Sequence, residues 1–303
     1  MNPGKLPNFL IIGVEKSGTT SIYNYLNQHP EVYMSPVKET NFLEREWSLD
    51  DNRKPSRIDT LEKYTDLFKS VTNEKAIGEV SPNYLFKYKT SIPKIDKILP
   101  NTKLIAILRN PVDRAYSDYL MHIRDVIGGK NVPSLSAQAT KNPITSFTIK
   151  KGFYVEPLMA FFEKFGRENI KVYWYDDLQE SPVAFMQDIY EFIGVDKTFI
   201  PDTSRRAQQA AVPKNQTVNS VLRTQNPVRK TVASILRLFL PEATRQKIRD
   251  RLLSANYQGK SALPLTEEER QLLQNLYRED ILKLQELLDK DLSHWLKPMS
   301  MRG

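Results

Sequence analysis

The 303-residue sequence contains no cysteine and only three histidines. Without thiols the chain cannot form disulfide bonds, cysteine-ligated zinc sites or iron–sulfur clusters, and it cannot use thiol catalysis. The longest apolar runs, Phe9–Val14 and Leu104–Leu108, have the length of strands, whereas a membrane span needs about 20 apolar residues. The N-terminus also lacks a signal-peptide pattern. These absences predict a soluble, cytoplasmic protein without a membrane span.

The rest of the composition is that of a globular protein with an uneven charge. Hydrophobic residues make up 40% of the chain, and the net charge is +8. The positive excess is concentrated between Arg205 and Arg251, where eleven lysines and arginines are opposed only by Glu242 and Asp250. Such a field attracts anions such as nucleotides or acidic glycans, although a solvated helix face would have the same composition. The segment matches no nucleic-acid module, and we predict no nucleic-acid partner.

Strands and helices alternate along the chain. Apolar runs predict strands at 8–13, 32–34, 76–80, 103–108 and 170–175. Helices are predicted between them, and a capping box at Thr266–Glu269 predicts the start of the last long helix. Residues 126–146 are rich in Gly, Ser, Asn and Pro, and we predict a loop of the kind that covers active sites.

This alternation implies a mostly parallel sheet with helices on both faces. The chain shows no internal repeat and no Gly/Ser linker. We therefore predict a single domain over residues 1–303, with a three-layer α/β core at about 7–200 and a helical C-terminal extension at about 215–300.

The clearest functional motif lies between the first strand and the first helix, and it makes the predicted fold P-loop-like. Gly13 and Gly18 have the spacing of a Walker A loop. Backbone N–H groups at the start of a helix form an anion site, to which loop hydroxyls add donors. The residues predicted to bind a phosphate are Lys16, Ser17, Gly18, Thr19, Thr20 and Ser21.

Two departures from the Walker pattern disfavour a nucleotide kinase, the alternative from another class. Where a nucleotide triphosphatase has the loop lysine, this chain has Thr19, and its lysine comes three residues earlier, at Lys16. The strand at 103–108 ends in Arg109 instead of a Walker B aspartate. Two parts that Mg-ATP chemistry requires are therefore missing from the motif.

A second anion site is predicted after the strand at 103–108. Arg109 stands at the carboxyl end of that strand, where open α/β sheets bind ligands, and Ser117 lies on the next helix. A guanidinium and a hydroxyl can hold a second phosphate, although an arginine at a strand end more often forms a structural ion pair. Together with the first loop, this pair predicts a ligand with two separated phosphates.

At these residues the chain resembles the sulfotransferases that use 3′-phosphoadenosine 5′-phosphosulfate (PAPS), in their bacterial and heparan-sulfate branch. Residues 16–20 look like the family's 5′-phosphosulfate loop, and Arg109 with Ser117 looks like its 3′-phosphate site. Further similarities to family motifs cover 36–42, 78–84, 152–154 and 175–178. The chain departs from the heparan branch at Val80, where a lysine is common, and in lacking a C-terminal disulfide loop, for which Lys214 is a weak replacement candidate.

The resemblance implies in-line transfer of the sulfuryl group, with 3′,5′-ADP as the product and no metal. The acceptor must lose a proton and the leaving phosphate gains charge, so the site needs a base and a cation. Lys16 suits the cation, and the resemblance implies Glu39 as the base and His122 as a catalytic or acceptor-orienting group. Burial of Glu39 would make it a stronger base. Glu39 could instead form a surface salt bridge with Lys38, and His122 could be a partly buried structural residue.

The acceptor is predicted to be the hydroxyl or amine of a small molecule such as a natural product. A saccharide chain is the second choice, favoured by the basic segment at 205–251. A third possibility, a nucleotide-binding module without activity, is disfavoured by the presence of Lys16 and Glu39.

Overall fold

The computed structural model describes residues 5–44, 58–125, 132–141, 143–204 and 263–297, together with 211–213, 215, 244, 251 and 255–259. The chain divides into two compact units. The first comprises Met1–Arg114, Lys151–Ala207 and Glu279–Leu292, and the second comprises Ala115–Lys150, Gln208–Arg278 and Ser293–Gly303. The organisation as a single domain stays a prediction.

The first unit is built on a five-stranded parallel sheet. Its strands are β1 (Phe9–Gly13), β2 (Val32–Met34), β3 (Ala76–Val80), β4 (Lys103–Leu108) and β5 (Ile170–Trp174). Their order is β2-β3-β1-β4-β5, so β1 is central and pairs with both β3 and β4. The chain leaves β1 towards one side of the sheet and leaves β4 towards the other. The crevice outside the carboxyl ends of β1 and β4 is therefore the point where such sheets bind ligands.

Helices flank this sheet, and the predicted three-layer α/β fold with a central parallel sheet is confirmed. Within the described residues, the helices of the first unit are α1 (Thr19–Leu26), α2 (Leu61–Asp66), α3 (Tyr88–Ile98), α7 (Val155–Phe165), α8 (Tyr175–Glu180) and α9 (Pro182–Ile193). The second unit contains α5 (Leu135–Lys141) and α6 (Phe147–Lys150), and residues of α4 (Pro111–Asp125) and α10 (Glu267–Leu288) belong to both units. Short 3₁₀ helices lie at Phe42–Glu44, Arg167–Asn169 and Ser293–Leu296. In the core, Ile22 and Leu26 of α1 and Ile189 of α9 pack with Ile11 and Ile107 of the sheet. The i, i+4 spacing on α1 turns both of its apolar side chains to this core.

Side-chain caps begin α4 and α10, and the second of them is the predicted capping box at Thr266–Glu269, which is confirmed. Asn110 caps α4, because its Oδ1 accepts from the N–H of Val112 at 3.0 Å. At the start of α10, Thr266 Oγ1 accepts from the N–H of Glu269 at 3.1 Å, while Glu269 Oε2 accepts from the N–H of Thr266 at 3.4 Å. This is the reciprocal bonding of a capping box.

Two segments contain elements that the sequence does not predict. The loop predicted at 126–146 is wrong in part, since it contains α5, which buries Leu135 and Ala139. The predicted helical extension is confirmed by α10, but a small antiparallel sheet precedes this helix, in which β6 (Ala211–Pro213) pairs with β7 (Tyr257–Gly259). Of the helices that the structure describes, none is both long enough and apolar enough to span a membrane. The cytoplasmic location stays a prediction.

Candidate functional site

The loop between β1 and α1 has the geometry of an anion site. Lys16 and Gly18 have left-handed φ angles of 74° and 79°, and α1 begins directly afterwards with Gly18 as its N-cap. The first N–H groups of a helix have no partner within the helix. Because glycine carries no side-chain oxygen, no N-cap side chain competes with an anion at the start of α1.

Gly18 is required by its surroundings as well as by its backbone. A Cβ atom at this position would lie 2.6 Å from Leu178 Cδ2 and 3.2 Å from Tyr175 Cε2. Helix α8 therefore packs directly against the loop, and a larger residue would displace one from the other.

Ser17 tests whether the loop fits an anion. The residue is fully buried, and its Oγ has no hydrogen-bond partner among the residues that the structure describes. A buried, unpaired hydroxyl costs about 1–3 kcal/mol, and such groups are uncommon in native proteins. A ligand oxygen that accepts from Ser17 would remove this cost. The loop therefore fits the phosphosulfate end of PAPS.

Arg109 is held against the same loop at the end of β4. Its Nη1 donates to the carbonyl oxygen of Lys16 at 2.8 Å, and its guanidinium carbon lies 4.6 Å from the ring centroid of Tyr175. The hydroxyl of Tyr154 donates to the carbonyl oxygen of Arg109 at 2.9 Å. The structure thus brings Lys16 and Arg109 together and adds two tyrosines to the site. Both tyrosines belong to segments that carry the family resemblance, which was the signal that could have identified them.

Glu39 lies at the same edge of the sheet, at the carboxyl end of β3. Its N–H donates to the carbonyl oxygen of Val80 at 2.9 Å, and its φ angle is 62°. Its carboxylate pairs with Lys38 Nζ at 2.5 Å, and the side chain is 44% exposed. The carboxylate is therefore not buried, and the ion pair with Lys38 that was considered as the alternative is present. The role of Glu39 as a base stays a prediction.

The remaining predicted site residues lie elsewhere in the chain. Ser117 and His122 are on the part of α4 that belongs to the second unit. His122 Nε2 lies 3.8 Å from Asp118 Oδ1, and its Nδ1 lies 3.2 Å from Thr148 Oγ1. Lys214 falls outside the described residues, as does most of the basic segment at 205–251. The roles of these residues stay predictions.

A small cleft opens beside the phosphate loop. It is lined mainly by apolar and aromatic side chains, among them Val14, Leu85, Phe86, Tyr154 and Pro157. Glu15 and Lys151 also line the cleft and form an ion pair with each other. The cleft is therefore apolar with one charged pair.

Comparison with solved structures gives a match over nearly the whole chain. A sulfotransferase from Alicyclobacillus acidocaldarius is 26% identical and superposes with a TM-score of 0.67, over 97% of this chain and 100% of that chain.

Curated relatives match over shorter stretches. The membrane-associated sulfotransferase kil1 of Dictyostelium discoideum is 34% identical over 128 residues, which is 42% of this chain and 26% of that protein. The human bifunctional heparan sulfate N-deacetylase/N-sulfotransferase 2 is 27% identical over 206 residues, which is 63% of this chain and 22% of that protein. The chain thus spans about a quarter of the length of these relatives.

A model of the Sulfotransferase family matches residues 7–199. The matched region includes the whole five-stranded sheet and the loops at its carboxyl edge, and the chain belongs to the Sulfotransferase family.

Proposed function

We propose that this protein transfers the sulfuryl group of PAPS to a hydroxyl or amine of a small-molecule acceptor and releases 3′,5′-ADP. The observation that carries the proposal is the fully buried Ser17 hydroxyl, which lacks a partner among the described residues and lies in an anion loop that Arg109 contacts. An arginine takes the place of the Walker B aspartate, and the family is that of sulfotransferases. The nucleotide kinase alternative is therefore not retained.

Different residues of the first unit bind the two charged ends of PAPS. The N–H groups at the start of α1 and the Ser17 hydroxyl supply donors for the phosphosulfate, and Lys16 supplies a positive charge beside them. The guanidinium of Arg109 supplies a second positive charge, which suits the 3′-phosphate that distinguishes PAPS from common nucleotides.

In the transfer step, Glu39 accepts the proton of the acceptor O–H or N–H as the acceptor oxygen or nitrogen attacks sulfur. The bond between sulfur and the bridging oxygen of the 5′-phosphate breaks, and the leaving phosphate takes the electron pair. Lys16 stabilises the charge that grows on that oxygen. Because β3 and β1 are neighbouring parallel strands, Glu39 and the phosphate loop share one edge of the sheet.

The cleft beside the loop supports a small acceptor. Its apolar and aromatic lining suits a compact aromatic or aliphatic group better than a polar saccharide. The relatives named for heparan sulfate favour a saccharide as the second candidate.

The experiment combines radiolabelled PAPS with three acceptor classes: a phenol, a primary alkyl amine and a saccharide with free amino groups. We expect label in the phenol or the amine, and label only in the saccharide would favour the second candidate. Transfer should persist in EDTA. No transfer to any class, or strict dependence on Mg²⁺, would contradict the proposal.

The variant Glu39→Gln tests the base. It is nearly isosteric but cannot accept a proton at neutral pH, so kcat should fall about 10²–10⁴-fold while 3′,5′-ADP affinity changes by no more than about threefold. The matched control is Glu191→Gln, since Glu191 is also exposed and pairs with a lysine, Lys197, at 2.8 Å, but lies near the end of α9. The control should keep its full rate. Full turnover by Glu39→Gln would move the base elsewhere, with His122 as the next candidate.

A further inference from the structure

Strand β3 carries a buried carboxylate in the middle of the core. Glu79 is fully buried and forms no ion pair within the described part of the chain. Four neutral hydroxyls donate to it instead. Those of Thr40 (2.5 Å), Ser81 (2.6 Å) and Tyr84 (2.7 Å) bond to Oε1, and that of Tyr64 (2.5 Å) bonds to Oε2. Burial, which is the larger cause, and the negative charge of Glu79, which is the second cause, raise the pKa of both phenols well above their ordinary value. Both phenols therefore keep their protons and remain donors.

The three hydroxyls on Oε1 also hold the backbone that follows Glu39. Each accepts from one of three consecutive N–H groups: Ser81 from Asn41 (3.1 Å), Thr40 from Phe42 (3.2 Å) and Tyr84 from Leu43 (3.2 Å). The Tyr64 hydroxyl takes no part in these contacts with the backbone. One carboxylate oxygen is therefore connected, through three side chains, to the segment 41–43.

This segment has an unfavourable backbone that needs such support. Glu39 and Asn41 have φ angles of 62° and 50°. Both angles lie in the left-handed region, which residues other than glycine rarely adopt. Strained residues of this kind persist only where surrounding contacts hold them. On one side of the segment, the N–H of Glu39 bonds to Val80. On the other side, the hydroxyls on Glu79 hold residues 41–43.

We propose that Glu79 is a positioning residue for sulfuryl transfer, which holds Glu39 at the carboxyl end of β3 through the hydroxyls of Thr40, Ser81 and Tyr84. The inference rests on the proposed function, in which Glu39 is the base. A carboxylate can only accept, so each of the three hydroxyls directs its proton to Glu79 and its lone pairs to the backbone N–H groups. Hydrogen bonds to a charged oxygen are about twice as strong as those to a neutral one.

Two tyrosine variants provide a matched test. Tyr84→Phe and Tyr64→Phe each remove one buried phenol hydroxyl from the same carboxylate, but only the Tyr84 hydroxyl also accepts from the backbone of Leu43. We expect Tyr84→Phe to lower kcat about tenfold and Tyr64→Phe to change it less than about twofold, because small displacements of a reacting group slow catalysis steeply. Binding of 3′,5′-ADP should be unchanged in both. Equal effects of the two variants on kcat would overturn the inference.

Amide hydrogen exchange gives a readout that needs no acceptor. In the full-length protein, exchange of the N–H groups of residues 41–43 should become faster in Glu79→Gln and Tyr84→Phe, and should stay unchanged in Tyr64→Phe. Exchange within β4 serves as the internal control. Unchanged exchange at 41–43 in both Glu79→Gln and Tyr84→Phe would also overturn the inference. If Glu79→Gln does not fold, the two tyrosine variants decide the question.

A double-mutant cycle separates positioning from general destabilisation. If Glu79 acts through Glu39, the variant Glu79→Gln should lower kcat about tenfold in the native background and should have no further effect on the residual rate of Glu39→Gln. If the double variant instead loses rate by the product of the two single losses, Glu79 acts independently of Glu39, and the inference is overturned. Full turnover by Glu39→Gln alone would instead overturn the base assignment, while the exchange pattern would still report whether Glu79 holds residues 41–43.

Discussion

Replacing Ser17 by alanine should have opposite effects on the free protein and on ligand binding. The hydroxyl is fully buried and lacks a partner among the described residues. Its removal from the free protein should relieve a desolvation cost of about 1 kcal/mol, at the lower end of the range for buried polar groups. For a protein of this size that raises the melting temperature by about 2 °C.

In the proposed complex with 3′,5′-ADP the same hydroxyl donates to a charged ligand oxygen, and such a bond contributes about 1.5–3 kcal/mol. The Kd for 3′,5′-ADP should therefore rise at least about tenfold. At a ligand concentration of 100 times the native Kd, the native protein gains about 2.7 kcal/mol of stability, whereas a variant with tenfold weaker binding gains about 1.4 kcal/mol. The ligand-induced stabilisation should thus fall to about half.

Thermal unfolding with and without 3′,5′-ADP, together with calorimetric titration, measures both effects. Thr102→Val is the matched control, because Thr102 Oγ1 is also buried without a partner among the described residues but lies just before β4, at the opposite edge of the sheet. The control should also stabilise the free protein, while its affinity for the nucleotide stays unchanged. A destabilised free Ser17→Ala protein, or an undiminished ligand-induced shift, would refute the reasoning.

Three further predictions concern the loop, the second cation and the buried phenols. Lys16→Ala should lower kcat more than it weakens 3′,5′-ADP binding, because charge on the leaving group grows only as the bond breaks; a rate restored by saturating PAPS would make Lys16 a binding residue only. Arg109→Lys keeps the charge but loses the fork that bonds to the Lys16 carbonyl and the stacking on Tyr175. Its thermal shift with 3′,5′-ADP should therefore fall close to that with 5′-AMP, and a retained preference would contradict a 3′-phosphate contact. The pKa values of Tyr64 and Tyr84 are raised mainly by burial, so above about pH 10 the unfolded chain loses phenolic protons that the folded chain keeps. Each phenol then costs about 1.4 kcal/mol of stability per pH unit. In urea unfolding between pH 9 and 11, the free energy of unfolding should fall less steeply with pH for Tyr64→Phe than for the native protein. An equal slope would contradict a raised pKa of Tyr64.

Local patterns in the sequence were sufficient for the elements that carry the site. The strands Ala76–Val80 and Lys103–Leu108 have their predicted bounds, because continuous apolar runs are buried whatever their neighbours are. The capping box before α10 and the loop before α1 are also local, since each depends on residues within one turn of the chain. The α/β architecture follows from the alternation of these elements.

Contacts between distant segments were decided only by the tertiary structure. The pairing of Ala211 with Gly259 joins two short segments that have no pattern of their own, so this small sheet left no local signal. An isolated carboxylate would prefer water, and Glu79 is buried only because a loop brings the hydroxyl of Thr40 to it and helix α2 brings that of Tyr64.

The candidate site divides in the same way. The sequence by itself determined which residue types follow β1 and β4, because the phosphate loop and Arg109 each come directly after an apolar run. The position of Glu39 at the carboxyl end of β3 was decided by the folded chain, since it depends on the hydrogen bond to Val80. Only the folded chain decided that Arg109 bonds to the Lys16 carbonyl, that Glu39 is exposed beside Lys38, and that the Ser17 hydroxyl is buried. The physical reason is that a hydrogen bond or an ion pair depends on atoms within about 3 Å of each other, and the order of strands in the sheet sets those distances across many residues of chain.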